Sequence, residues 1–118
     1  MKEQPRDLKL RTKDFALRII KLYSTLPRAD IVAQVLGNQV LRAGTSVGAN
    51  YREASRARSK GESISEVGES LKEIAESEYW LELLVDSGRV CAPKMLPLMA
   101  EARELTAIFT TIAKSPRE

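Results

Sequence analysis

The residues of this 118-residue chain best placed to do chemistry are carboxylates and guanidinium groups. Glu73, Glu76, Glu78 and Glu82 crowd one short stretch. Clustered carboxylates can bind a hard cation such as magnesium. A di-iron site between helices, however, needs Glu-x-x-His motifs on facing helices, and the chain contains no histidine. The same absence removes an imidazole base and a histidine metal ligand. The single cysteine, Cys91, excludes an internal disulfide and a multi-cysteine zinc site. It lies in a loop before Pro93, has no basic neighbour closer than Arg89, and reads as a small buried residue rather than a nucleophile. The serines and threonines lack a base partner. No catalytic residue, metal ligand set or cofactor site can be named. The glutamates are expected to pair with arginines, with an all-carboxylate magnesium site as the residual alternative.

The densest basic cluster is Arg42, Arg52, Arg56, Arg58 and Lys60. Guanidinium forks match phosphate oxygens bidentately, so these five are the candidate nucleic-acid-binding residues. The competing reading is a solvated helix face with salt bridges. Residues 1–60 hold thirteen Lys/Arg against five Asp/Glu, and residues 61–118 hold six against eleven. A basic half attracts phosphate backbones, or the acidic half of the same chain or of a neighbour. Only 5% of residues are aromatic, which disfavours a base-stacking platform. Binding would then be backbone-directed and weakly sequence-specific.

Four amphipathic helical patterns must position these groups, and no strand pattern is convincing. The first spans about 12–26, with Thr12 as N-cap, Phe15, Ile19, Leu22 and Leu26 as its stripe, and Pro27 beyond its end. The second spans about 30–57 from an Asp30 cap, with Leu36, Val40, Ala43, Val47, Tyr51 and Ala54 within about 80° of one another. Arg42, Arg52 and Arg56 fall roughly opposite. Gly37, Gly44 and Gly48 each cost about 1 kcal/mol in a helix interior. They imply close approach of another backbone, a bend, or rescue by packing. The third spans about 62–87, started by a Ser-x-x-Glu box at Ser59/Glu62 or Ser63/Glu66. Ile64, Val67, Leu71, Ile74, Leu81 and Val85 keep heptad spacing, and Gly88 supplies the stop. The fourth spans about 93–113, tolerates Pro97 only in its first turn, and ends at Ser115-Pro116. The length suits one domain. The economical architecture is an all-α, antiparallel up-and-down four-helix bundle. No signal peptide or membrane span is evident, so a cytoplasmic protein without a membrane partner is expected.

Three further expectations concern packing. Trp80, Leu83 and Leu84 lie off the heptad seam of the third helix and are the candidate oligomer interface, unless a wide bundle buries both sides itself. Glu78 falls on the seam and needs a partner, with Arg42 and Arg52 as candidates. Asn50, at the margin of the second helix's stripe, is expected to bridge to another helix or to backbone.

The run Gln39-Val40-Leu41-Arg42-Ala43, then Ser46-Val47-Gly48-Ala49-Asn50-Tyr51-Arg52-Glu53-Ala54, then Ser59 and Glu62, resembles four-helix bundle proteins of the 23S rRNA intervening-sequence family. The run Leu71 to Leu84 resembles a large subgroup of it, and the likeness extends from about Asp14 to Ile112. The resemblance implies an antiparallel four-helix bundle assembling as a ring, typically a homopentamer. Some members are encoded inside insertions in large-subunit rRNA genes. A similar fold serves as the accessory subunit beside the reverse transcriptase of diversity-generating retroelements, where it is linked to nucleic-acid binding. The partners implied are therefore the chain itself, RNA or DNA, and a reverse transcriptase or ribonucleoprotein. Ser63 departs from the pattern, standing where an aromatic often follows the glutamate. The family label reports where some genes sit and does not imply ribosome binding.

Overall fold

The computed structural model describes residues 5–114, which form four α-helices: α1 (Pro5–Thr25), α2 (Ile31–Ser55), α3 (Lys60–Asp86) and α4 (Ala92–Ala113). The expected Ser115-Pro116 stop lies outside these residues. Each helix packs on its neighbours in sequence, α2 on α3 most extensively, while α1 and α4 touch only sparsely. Contacts between α2 and α3 run from the start of α2 against the end of α3 to the later part of α2 against the earlier part of α3. Asp30 meets Arg89, Arg42 meets Glu73, and Val47 meets Ser70.

The core is apolar and continuous. Phe15 and Ile19 from α1, Val40 and Val47 from α2, Ile74, Leu81 and Leu84 from α3, and Leu105 and Phe109 from α4 are all fully buried. Large side chains of this kind each contribute roughly 1.5–3 kcal/mol on burial. Tyr51 and Phe109 join α2 to α4 with ring centroids 5.8 Å apart. Burial pushes the Tyr51 phenol up from its ordinary value.

The helix starts and stops follow local chemistry, with corrections. Asp30 caps α2 by accepting the Ala33 N–H at 3.1 Å, and Arg89 donates to the same carboxylate at 3.1 Å. The cap and then the guanidinium hold the Asp30 carboxyl below its usual range. Ser59 caps α3 by accepting the Glu62 N–H, and Glu62 accepts the Arg58 N–H in return. Gly88 follows α3 at φ +83°, a conformation open to glycine. Thr12 is not an N-cap. It lies buried inside α1, which begins at Pro5, and its hydroxyl donates to the Leu8 carbonyl at 2.7 Å. Pro97 sits in the second turn of α4 rather than the first, on the exposed side, where a missing N–H leaves only a solvated carbonyl unpaired.

The glycines of α2 face α1. A Cβ at Gly44 would meet Ile19 Cγ1 at 2.9 Å, and one at Gly48 would meet Thr12 Oγ1 at 3.0 Å. Close approach of α1 is therefore what these positions serve.

α3 departs from a single heptad seam because two helices flank it. Its Ser70 and Ser77 are fully buried, and Ser70 donates to the Val47 carbonyl of α2 at 3.0 Å. Glu78 turns to α4, where it accepts the Thr106 hydroxyl at 2.6 Å. The expected arginine partner is thus replaced by a threonine. Leu84 belongs to the same widened arc and is fully buried within the chain. It offers no surface to a second chain, contrary to its expected place in an interface.

Candidate functional site

The basic cluster divides in two. Arg42, midway along α2, is bound to α3: its guanidinium contacts Glu76, reaches Glu73 at 3.5 Å, and holds Gln39 at 3.2 Å. The indole N–H of Trp80 donates to the same Glu76 carboxylate at 3.0 Å. That hydrogen bond and the nearby Arg42 hold the Glu76 carboxyl below its usual range. The other four cations gather where α2 ends and α3 begins. Arg56 pairs with Glu53 one turn back at 2.7 Å, both side chains being more than half exposed. Such exposed pairs contribute little energy. Arg52, Arg58 and Lys60 are exposed, and their side chains meet no carboxylate among the described residues.

Arg58 and Lys60 border a shallow cleft of about 610 Å³ between the α2 and α3 ends. Ser55, Ser59 and Ser63 line it with hydroxyls, and Val67 and Ile112 line it with apolar surface. The corner combines cations, hydroxyl donors and the amide-rich start of α3, a combination suited to phosphate oxygens. On α1, Arg11 is clamped by Glu101 and Glu104 of α4 at 2.7 and 2.6 Å, which removes it as a free cation.

Asn50 does not bridge to another helix. Half-buried at the side of α2, it makes no side-chain hydrogen bond among the described residues and stays within reach of water. Cys91 is exposed rather than buried, because the α3–α4 loop lies over the open end of the α1/α4 seam. Among the described residues, no three carboxylates or thiols converge as a metal site would require.

These helices, and the sequence that forms them, match a known family. The profile of the 23S rRNA-intervening sequence proteins aligns with residues 7–111. The chain belongs to that family. It is similar to a crystal structure from Bacteroides thetaiotaomicron, described as a protein of unknown function from the S23 ribosomal protein family. The two share 35% identity and a TM-score of 0.83, over 91% of this chain and 98% of that one. No curated protein matches the chain.

Structure also explains the stretch by which the family is recognised. Within Gln39 to Ala54, the residues Val40, Ala43, Val47, Tyr51 and Ala54 are core, and Gly44 and Gly48 admit α1. In this intervening-sequence protein those positions of the signature serve the packing of α2.

The other candidate surface is apolar. Trp80 and Leu83 are half-buried, and Tyr79, 54% exposed, lies against the indole with centroids 5.2 Å apart. Sequence reasoning missed a larger set. Leu10, Leu17 and Ile20 on α1 and Ile31, Val32 and Val35 on α2 are exposed, Ile31 by 77%. The signal was present in Ile31-Val32 and Val35, which fall outside the α2 stripe. No helix among the described residues is long and apolar enough to cross a membrane.

Proposed function

We propose that this chain is a non-enzymatic, self-associating helical bundle that binds the phosphate backbone of nucleic acid, RNA or an RNA–protein complex, at its α2–α3 corner. The observation that carries the reading is that Arg58 and Lys60, which line an open cleft, and Arg52 on the preceding turns meet no carboxylate among the described residues. The cross-helix pairs Asp30–Arg89, Arg42–Glu73 and Val47–Ser70 support an antiparallel, up-and-down arrangement. The exposed apolar side chains of α1, α2 and α3 support self-association. A homopentameric ring, as the family resemblance implies, would repeat the basic corner and raise avidity without new contacts. A reverse transcriptase or another ribonucleoprotein component fits as the protein partner. One free thiol and no disulfide suit a reducing cytoplasm.

Fluorescence polarisation with a structured RNA and with duplex DNA tests the reading. Binding is expected at about 50 mM salt and should fall steeply by about 200 mM. A confirmed oligomer that binds neither at low salt would overturn it.

A second reading is a protein-interaction scaffold whose arginines are consumed by salt bridges. The attachment of Arg42 to Glu73 and Glu76 favours it for that one residue. It leaves the charge of the α2–α3 corner without a role.

A further inference from the structure

The sparse packing of α1 against α4 leaves a groove of about 620 Å³ at the opposite end of α2 from the basic corner. Arg11 and Glu101 close the seam lower down. Above that clamp Leu22 and Val90 form apolar walls over the buried Leu26, Met95 and Leu98. Cations stand on both rims, Arg18 and Lys21 from α1 and Arg89 and Lys94 from the α4 side. No acidic side chain among the described residues lines the groove. Arg89 is engaged by Asp30, and Arg18 lies 3.8 Å from Asp14. Lys21 and Lys94 are exposed and make no side-chain ion pair or hydrogen bond among the described residues.

We propose that this groove docks an acidic amphipathic helix of another protein, its apolar stripe against Leu22 and Val90 and its carboxylates on Lys21 and Lys94. Two diverging helices with an apolar floor form the kind of trough that a third helix fills, anchored at i, i+3 or i+4 and i+7. Cations on both rims require carboxylates on both flanks of that stripe, and charge complementarity of this sort selects the partner and speeds encounter. No residue of α3 lines the groove, so it is separate from the Trp80 and Leu83 surface. It also shares no residue with the α2–α3 corner, so the proposal stands independently of nucleic-acid binding.

The probe is a fluorescein-labelled synthetic helical peptide with leucines at this spacing and glutamates on both flanks. Its controls are a scrambled version and a version with lysine for glutamate. Cys91 lines the groove and is the single cysteine, so its alkylation by iodoacetamide reports occupancy at this place alone. Expected are saturable binding of the acidic peptide only, protection of Cys91 by it, and about tenfold weaker binding to the Lys21→Glu/Lys94→Glu double variant, as two exposed ion pairs become repulsive. Both lysines are exposed, and circular dichroism confirms that the variant keeps its helices. Absent binding, equal binding of either control peptide, an unprotected Cys91 in the complex, or unchanged affinity of the double variant each overturns the proposal. Displacement of the peptide by dodecanoate at equimolar concentration would overturn it in favour of a small anionic amphiphile. Cys91 protection that rises with protein concentration without peptide would overturn it in favour of a second copy of the chain.

Discussion

Arg42 on α2 and Glu76 on α3 are joined by a charge-assisted hydrogen bond, and the same carboxylate oxygen of Glu76 accepts the indole N–H of Trp80. One carboxylate therefore connects a residue of the basic cluster with a residue of the apolar surface. Arg42 is committed to holding α3 in place, whereas the side chains of Arg58 and Lys60 meet no carboxylate among the described residues.

The first prediction separates these roles. Arg42→Ala should lower stability by under about 1 kcal/mol, since the guanidinium is half exposed. It should leave RNA affinity near wild type. Arg58→Glu/Lys60→Glu should leave the melting temperature near wild type and weaken RNA binding at least tenfold, with a shallower dependence on salt. Thermal melts and polarisation titrations on the two variants check this. A larger binding loss from Arg42→Ala would place the interface at mid-helix.

Trp80 provides the second. Trp80→Phe keeps most of the apolar surface and removes only the N–H to Glu76, so self-association should persist with a slightly lower melting temperature. Trp80→Ala removes the ring and should weaken assembly by about 2 kcal/mol or more, as interface tryptophans often do. Part of that loss belongs to the single chain, because the indole also packs on its core. Light scattering across a dilution series reads the assembly, and melting at fixed concentration reads the fold. Equal masses for wild type and Trp80→Ala would exclude this surface from the interface.

The glycines give opposite signs. At Gly44 an added methyl would press on Ile19 at 2.9 and 3.3 Å, and a β-branched side chain yields little. Overpacking of about 1–3 kcal/mol should then exceed the roughly 1 kcal/mol that alanine gains in a helix. Gly68 in α3 has nothing within 4 Å of the same methyl. Gly68→Ala should therefore stabilise by about 0.5–1 kcal/mol, raising the melting temperature, while Gly44→Ala lowers it.

A further prediction concerns pH. Asp30 and Glu76 have carboxyls lowered in the folded protein, by the Ala33 N–H and by the Trp80 N–H respectively, each helped by an arginine. Depressed carboxylates stabilise the fold above their unfolded values, and this is lost as pH falls through the folded ones. Stability should be flat above about pH 5 and decline below it, and the Asp30→Asn/Glu76→Gln variant should show a shallower acid limb. Tyr51 acts at the other end. Its raised phenol stays neutral in the folded chain, so stability should fall above about pH 10, and Tyr51→Phe should blunt that fall. Denaturant melts across the pH range measure both limbs.

The sequence by itself determined the four helices, most of the core and the family. Periodicity alone marks Phe15, Ile19, Val40, Val47, Ile74 and Leu81 as inward, because the 3.6-residue repeat returns them to one face. Asp30, Ser59 and Gly88 announce helix ends through bonds made within a few residues. Tertiary structure decided what depended on neighbours in space. Whether α3 carries one buried seam or two follows from its position between α2 and α4, which sent Leu84 and Ser77 inward and turned Glu78 to Thr106. Thr12 looked like a cap because a hydroxyl serves a free N–H or an i−4 carbonyl equally well, and only the start of α1 at Pro5 chooses. Likewise, five clustered cations look alike in a linear chain. The proximity of Glu73 and Glu76 to Arg42, some thirty positions away, is a product of packing, and it distinguishes the arginine bound across helices from the cations of the α2–α3 corner.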